Sequence, residues 1–132
     1  MPSPRNILVV DDSEAVRTAI RTLIEDSQGL RVCGEAVDGL DAIEKIRDLK
    51  PDLILLDLAM PKLNGAVTAT VIRRIMPKVP IILFTMYEDA ADKLGEAVGV
   101  DLVIAKLDGI HNLVTKVHDL LDSRDSDRAV VD

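Results

Sequence analysis

Apolar residues run along this chain in two alternating rhythms. Short unbroken runs, "NILVV" (6–10), "LRVCGEA" (30–36), "LILLD" (53–57), "PIILF" (80–84) and "DLVIA" (101–105), are separated by stretches in which apolar positions return every three or four residues. The runs suit strands buried on both faces, where successive side chains meet a core on either side. In the longer stretches Val16, Ile20, Leu23 and Ile24 share a face, as do Ile43 and Ile46. Ala69, Ile72 and Ile75 follow, and finally Ile110, Leu113, Val114, Val117 and Leu121. This is the spacing of amphipathic helices. A helix over 88–98 is marked least, because Gly95 interrupts it and its apolar content is mostly alanine. Five strand–helix units with short connections predict an α/β fold, (βα)5, with a doubly wound parallel sheet of five strands and helices on both faces.

The 132 residues make one domain, expected over 1–122, with "SRDSDRAVVD" (123–132) as a polar tail or the start of a linker. Hydrophobic content of 48% and charged content of 30% describe a soluble globular chain. No apolar stretch approaches membrane-span length and "MPSPRN" lacks the apolar core of a signal peptide. The single Cys33 excludes an internal disulfide and reads as a small buried hydrophobe, which places the chain in a reducing cytoplasm. Sixteen Lys and Arg against 23 Asp and Glu, with 2% aromatic residues, argue against nucleic-acid binding by this chain.

In a doubly wound sheet, ligands bind outside the carboxyl ends of the strands. Asp11 and Asp12 end the first predicted strand, Asp57 the third, Thr85 the fourth and Lys106 the fifth. Three carboxylates, a hydroxyl and an ammonium therefore converge on one edge. Two like charges 4 Å apart repel by about 4 kcal/mol at an effective dielectric of 20. Proton sharing relieves this, and so does a hard divalent cation such as Mg²⁺. With Mg²⁺ and Lys106 neutralising a phosphoryl group and Thr85 donating to it, an aspartate there is placed to attack phosphorus. Asp12 or Ser13 also serves simply as the N-cap of the first helix, and Asp57 as the start of a turn.

"VVDD" (9–12), "LLDLAMPKLNG" (55–65), "PIILFT" (80–85) and "IAK" (104–106) resemble a response-regulator receiver domain of two-component signalling, over residues 5–122. The resemblance implies strand order 2-1-3-4-5 and a switch phosphorylated by a histidine kinase. Asp57 would be the phosphoacceptor, and Asp11, Asp12, Asp57 and the Ala59 backbone carbonyl would bind Mg²⁺. Lys106 would pair with Asp57 and then with the phosphoryl group, and Thr85 would be the switch hydroxyl. Such a chain catalyses only its own phosphorylation and dephosphorylation and is expected not to be an enzyme otherwise. Arg17 and Arg21, one turn apart on the first helix, suit a solvated face or a kinase-docking face. Homodimerisation is allowed through the fourth predicted helix, the fifth strand and the fifth helix.

Three positions depart from the family pattern. Val103 stands where an aromatic residue is usual, Met86 where a small residue is common, and Leu107 where many relatives carry proline. Val103 is stiff and implies a different coupling of the switch to its output face. Met86 would screen Asp57 from small donors. These departures leave two rivals, a receiver-like protein-binding module that works without phosphorylation, and a hydrolase using Asp57 as nucleophile. The hydrolase lacks a second acid two residues on, where Ala59 stands. His111 and His118 lie about 10.5 Å apart along a helix, too far to share a metal. Gly34, Gly39 and Gly65 read as turn glycines, and no phosphate-binding glycine loop occurs.

Overall fold

The computed structural model describes residues 3–58, 60, 64–86, 99–106 and 111–131. Strands β1 (Arg5–Val10), β2 (Leu30–Ala36), β3 (Leu53–Leu56), β4 (Ile81–Thr85) and β5 (Leu102–Ala105) are accompanied by helices α1 (Glu14–Glu25), α2 (Gly39–Leu49), α3 (Gly65–Ile75) and α4 (His111–Val131). The helix expected over 88–98 lies outside the described residues, as do Ala59, Leu107 and Ile110. Strand ends shift by one residue from the sequence pattern for local reasons. Pro80 has no N–H for the ladder, so β4 begins at Ile81, although the Pro80 carbonyl still accepts the Ile54 N–H at 3.0 Å. Asp57 falls just past β3 but keeps its N–H on the Val10 carbonyl at 3.0 Å.

All strand pairs are parallel, in the order β2-β1-β3-β4-β5. The chain therefore winds outward from β1 in both directions, and the crevice where the winding reverses lies between β1 and β3. Alternating side chains explain why the strand runs are apolar throughout. Leu53 and Leu55 join Ile7, Val9, Ile82 and Phe84 against Ile20 and Ile24 of α1 and Leu113, Val117 and Leu121 of α4. Ile54 and Leu56 join Leu8, Val10, Ile81 and Leu83 against Ala42 and Ile46 of α2 and Ala69 and Ile72 of α3. Each of the four β3 side chains is at most 1% exposed, and burial of each contributes about 1.5–3 kcal/mol.

Three helices begin at the carboxyl edge of the sheet with a capping side chain. Ser13 accepts the Val16 N–H at 3.3 Å, Asp38 the Asp41 N–H at 2.8 Å and Asn64 the Val67 N–H at 3.0 Å. Ser13, rather than Asp12, thus caps α1. At the opposite edge Asp101 accepts the Ile81 N–H at 2.8 Å and is gripped by Arg73 at 3.1 Å and Arg124 at 2.6 Å. Arg124 belongs to the polar stretch 123–131, which continues α4 to Val131. No helix among the described residues is long and apolar enough to cross a membrane.

The glycines differ from the turn residues the sequence suggests: Gly34 lies within β2, while Gly39 and Gly65 open α2 and α3. Gly65 is required by a close approach. Its N–H donates to the Leu58 carbonyl at 2.8 Å, and a Cβ there would strike the Asp57 carbonyl oxygen and come within 2.7 Å of the Leu58 Cα. Gly65 is thus seated directly against Asp57 and Leu58. Gly65→Ala should destabilise the protein by about 1–3 kcal/mol, the usual cost of overpacking, read as a lower urea midpoint. An unchanged midpoint would show that this approach is not tight.

Candidate functional site

The ends of β1 and β3 are neighbours in the sheet, so Asp11, Asp12 and Asp57 meet at the crevice. One carboxylate oxygen from each lies within 4.8 Å of the others. Asp11 and Asp57 are 2% and 6% exposed, whereas Asp12 faces solvent. Asp11 is held at every polar group: its N–H donates to the Ala36 carbonyl at 3.1 Å, and its Oδ1 accepts the Ser13 N–H at 2.8 Å. Its carbonyl accepts Arg17 Nη1 at 2.7 Å, and its Oδ2 accepts Lys106 Nζ at 2.9 Å.

Lys106 follows β5 and reaches back across the end of β4. Its ammonium stands 3.4 Å from Asp57 Oδ2 and 5.8 Å from the centre of the Phe84 ring. The sequence pairs Lys106 with Asp57; the structure adds Asp11 as the nearer partner. Burial acts to lower the Lys106 pKa, but the Asp11 hydrogen bond and the charges of Asp57 and Asp11 outweigh it, and the net shift is upward. Thr85, the last residue of β4, is fully buried. Met86 beside it is 53% exposed. Val103 packs partly buried against the α2–α3 side of the core.

With all four groups ionised, three carboxylates against one ammonium leave a formal charge of −2. The donor atoms are all hard oxygens, the set that suits Mg²⁺ rather than a softer metal. The Ala59 carbonyl expected to complete the set lies outside the described residues. Arg17 and Arg21 are both engaged rather than simply solvated, since each pairs with Glu35. Glu35 and Phe84 are site neighbours that the sequence reading missed. An acid inside the apolar run of β2, across from two arginines one turn apart, was the available signal for Glu35. His118 is half-buried on α4 and the side chain of His111 is outside the described set. Cys33 is half-buried, with its thiol 3.5 Å from the Ile7 carbonyl and its pKa raised by burial.

The fold and this edge define a receiver, and the chain belongs to the response regulator receiver domain family, whose model matches residues 7–118. Members are switches in two-component signalling that accept phosphoryl groups from histidine kinases and bind Mg²⁺. The chain is 38% identical over 111 residues to a protein-glutamate methylesterase/protein-glutamine glutaminase of Methanospirillum hungatei, covering 81% of this chain and 32% of that protein. It is 38% identical over 101 residues to the response regulator protein VraR of Staphylococcus epidermidis, covering 76% and 48%. It also resembles a chain of the CheX-CheY-BeF3-Mg complex from Borrelia burgdorferi, with TM-score 0.81 and 25% identity over 89% of this chain and 90% of that one. The chain spans 23% to 48% of the length of the curated relatives it matches first.

These relatives correct one expectation. The sequence reading held that the chain is not an enzyme beyond its own phosphorylation chemistry. Several relatives are named as protein-glutamate methylesterases, which are enzymes, and the match covers only a minor part of their length. A receiver sequence of this kind therefore does not exclude an enzyme.

The raised Lys106 pKa has a defined effect on stability. The contribution is whole below the unfolded lysine value, about 10.4, and is lost as pH rises through the higher folded value. The stability gap between wild type and Lys106→Met, from urea titrations without metal, should hold steady up to about pH 10.4, narrow as pH rises from there through the higher folded value, and level off above it. A gap that widens with pH would mean Lys106 is not stabilised by its carboxylate partners.

Proposed function

We propose that this chain is a switch operated by phosphorylation of Asp57. The observation that carries this reading is the convergence of Asp11, Asp12 and Asp57 with Lys106 standing between the two buried acids. Asp11, Asp12, Asp57 and the Ala59 carbonyl would hold Mg²⁺, which when bound supplies neutralising charge for the incoming phosphoryl group. The Asp57 carboxylate oxygen attacks the phosphorus of the kinase phosphohistidine. The O–P bond forms as the P–N bond breaks, and the imidazole nitrogen leaves with the electron pair and takes up a proton.

Lys106 then turns from the Asp57 carboxylate to the phosphoryl oxygens, and the Thr85 hydroxyl donates to another of them. Moving a two-state switch from 1:99 to 99:1 requires about 5.5 kcal/mol of differential binding. Two charge-assisted contacts of about 1.5–3 kcal/mol each approach that. Thr85 is buried at the end of β4, so engaging it would draw the strand end toward Asp57 and pass the signal to β5 and α4. Docking of the kinase across α1, and of a second copy against the face of the fourth predicted helix, β5 and α4, are the contacts this reading assigns. The stiff Val103 in β5 gives that face a coupling unlike that of relatives with an aromatic residue there.

Incubation with Mg²⁺ and acetyl phosphate should add a single phosphoryl group by intact mass, lost in EDTA and in Asp57→Asn. Met86→Ala should label faster if the exposed side chain next to Thr85 hinders a small donor. Labelling that survives Asp57→Asn would move the acceptor elsewhere. No labelling of wild type or Met86→Ala would favour the module that works by protein contacts alone.

A further inference from the structure

Arg17 lies on α1, one turn from the Ser13 cap, and its side chain is only 12% exposed. Its Nη1 donates to the Asp11 carbonyl at 2.7 Å while its Nε donates to Glu35 Oε1 at 2.9 Å. The guanidinium is planar, so these two donors keep a fixed relation and the two acceptors are located relative to one another. Glu35 is itself fixed. Its Oε2 takes Arg21 at 2.7 Å, and its carbonyl takes Lys45 Nζ from α2 at 2.7 Å. Burial acts to raise the Glu35 pKa, but the hydrogen bonds from Arg21 and Arg17 and their charges prevail, and the carboxyl is held below its ordinary value.

A register slip aims Glu35 at α1. Ile7 pairs with Val32, but the next residue, Leu8, pairs with Gly34, which leaves Cys33 as the extra residue in β2. Cys33 packs on the α2 side, and a Cβ on Gly34 would meet Leu49 of α2 at 2.7 Å. Two successive residues therefore face α2, and the alternation restarts with Glu35 toward α1. With unbroken alternation Glu35 would face α2, away from both arginines.

We propose that Arg17 is a positioning residue for the acid pair: braced by Glu35, it holds the Asp11 main chain and so sets where the Asp11 and Asp12 carboxylates lie. This rests on the reading that Asp11, Asp12 and Asp57 take Mg²⁺. The sign of the effect separates positioning from simple charge. A cation near a cation site repels the metal, so on charge alone removing Arg17 tightens Mg²⁺ binding. If Arg17 orients the ligands, removing it weakens binding.

The test is Mg²⁺ affinity of the full chain by calorimetry, for wild type, Arg17→Ala, Arg17→Lys, Glu35→Gln and Arg21→Ala. Arg17→Lys keeps the charge and loses the planar fork, and it stands in if Arg17→Ala does not fold. Both Arg17 variants should bind about tenfold more weakly, the low end of what losing a ligand-orienting group costs. Glu35→Gln should lose less, and Arg21→Ala, which touches Glu35 but not Asp11, should stay within about twofold of wild type. Unchanged or tighter binding in the Arg17 variants overturns the proposal. Exchange of the Ser13 amide, held on Asp11 Oδ1, is read in parallel without metal. It should quicken severalfold in the Arg17 variants and not in Arg21→Ala. Wild type that binds no Mg²⁺ would defeat the magnesium reading alone, leaving the amide result to sustain or overturn the role of Arg17.

Discussion

One ammonium stands between two buried carboxylates, and the carboxyl edge of this sheet is organised around it. Lys106 touches Asp11 at 2.9 Å and Asp57 at 3.4 Å. Without it, two acids with 2% and 6% exposure would lose the ammonium that opposes their charges, and breaking a buried ion pair typically costs about 3–5 kcal/mol. With it, the edge is tolerable but still short of positive charge, because Asp12 adds a third carboxylate. The sheet order makes this arrangement unavoidable. β1 and β3 are adjacent and β5 lies two strands further on, so only a side chain as long as lysine reaches back over Phe84 to the acids. The same deficit that tolerates a single ammonium leaves room for a divalent cation and for the transfer of a phosphoryl group.

What the sequence made legible was what local period and strand ends encode. "LILL" announced a strand buried on both faces, and all four of its side chains are. The acids after β1 and β3, the threonine ending β4 and the lysine after β5 fell on one edge because parallel strands all end there. What stayed hidden depends on long-range geometry. That Lys106 leans toward Asp11 reflects where its ammonium settles between two acids 95 and 49 positions back in the chain. The Arg17–Glu35 bridge needs the slip at Cys33, which no alternation pattern reveals, since "RVCGEA" reads as an ordinary strand. Gly65 looked like a turn residue because the backbone it approaches, Asp57 and Leu58, precedes it by eight and seven residues. A domain's sequence also says nothing of what it is joined to, as the methylesterase relatives make plain.

The two edges of the sheet are built for different purposes. At the carboxyl edge, charge is left partly unbalanced and the neighbouring Met86 is exposed. At the amino edge, Asp101 is saturated by an amide and two arginines, which ties α3, β4, β5 and the long α4 into one unit. Under the proposed switch, a change begun at Asp57 would travel along strands whose far ends are pinned. Thr85 ends β4 and Lys106 follows β5, both at the carboxyl edge beside Asp57.

The central claim is that Asp57, Thr85 and Lys106 act together on a phosphoryl group in the presence of a divalent ion. Two-dimensional amide NMR during titration with beryllofluoride, a phosphoryl mimic, addresses it without any kinase or donor. The account predicts shifts at Asp57, Thr85 and Lys106 only when Mg²⁺ and beryllofluoride are present together, and their loss in Asp57→Asn. The same shifts in Asp57→Asn, or none in wild type, would contradict it.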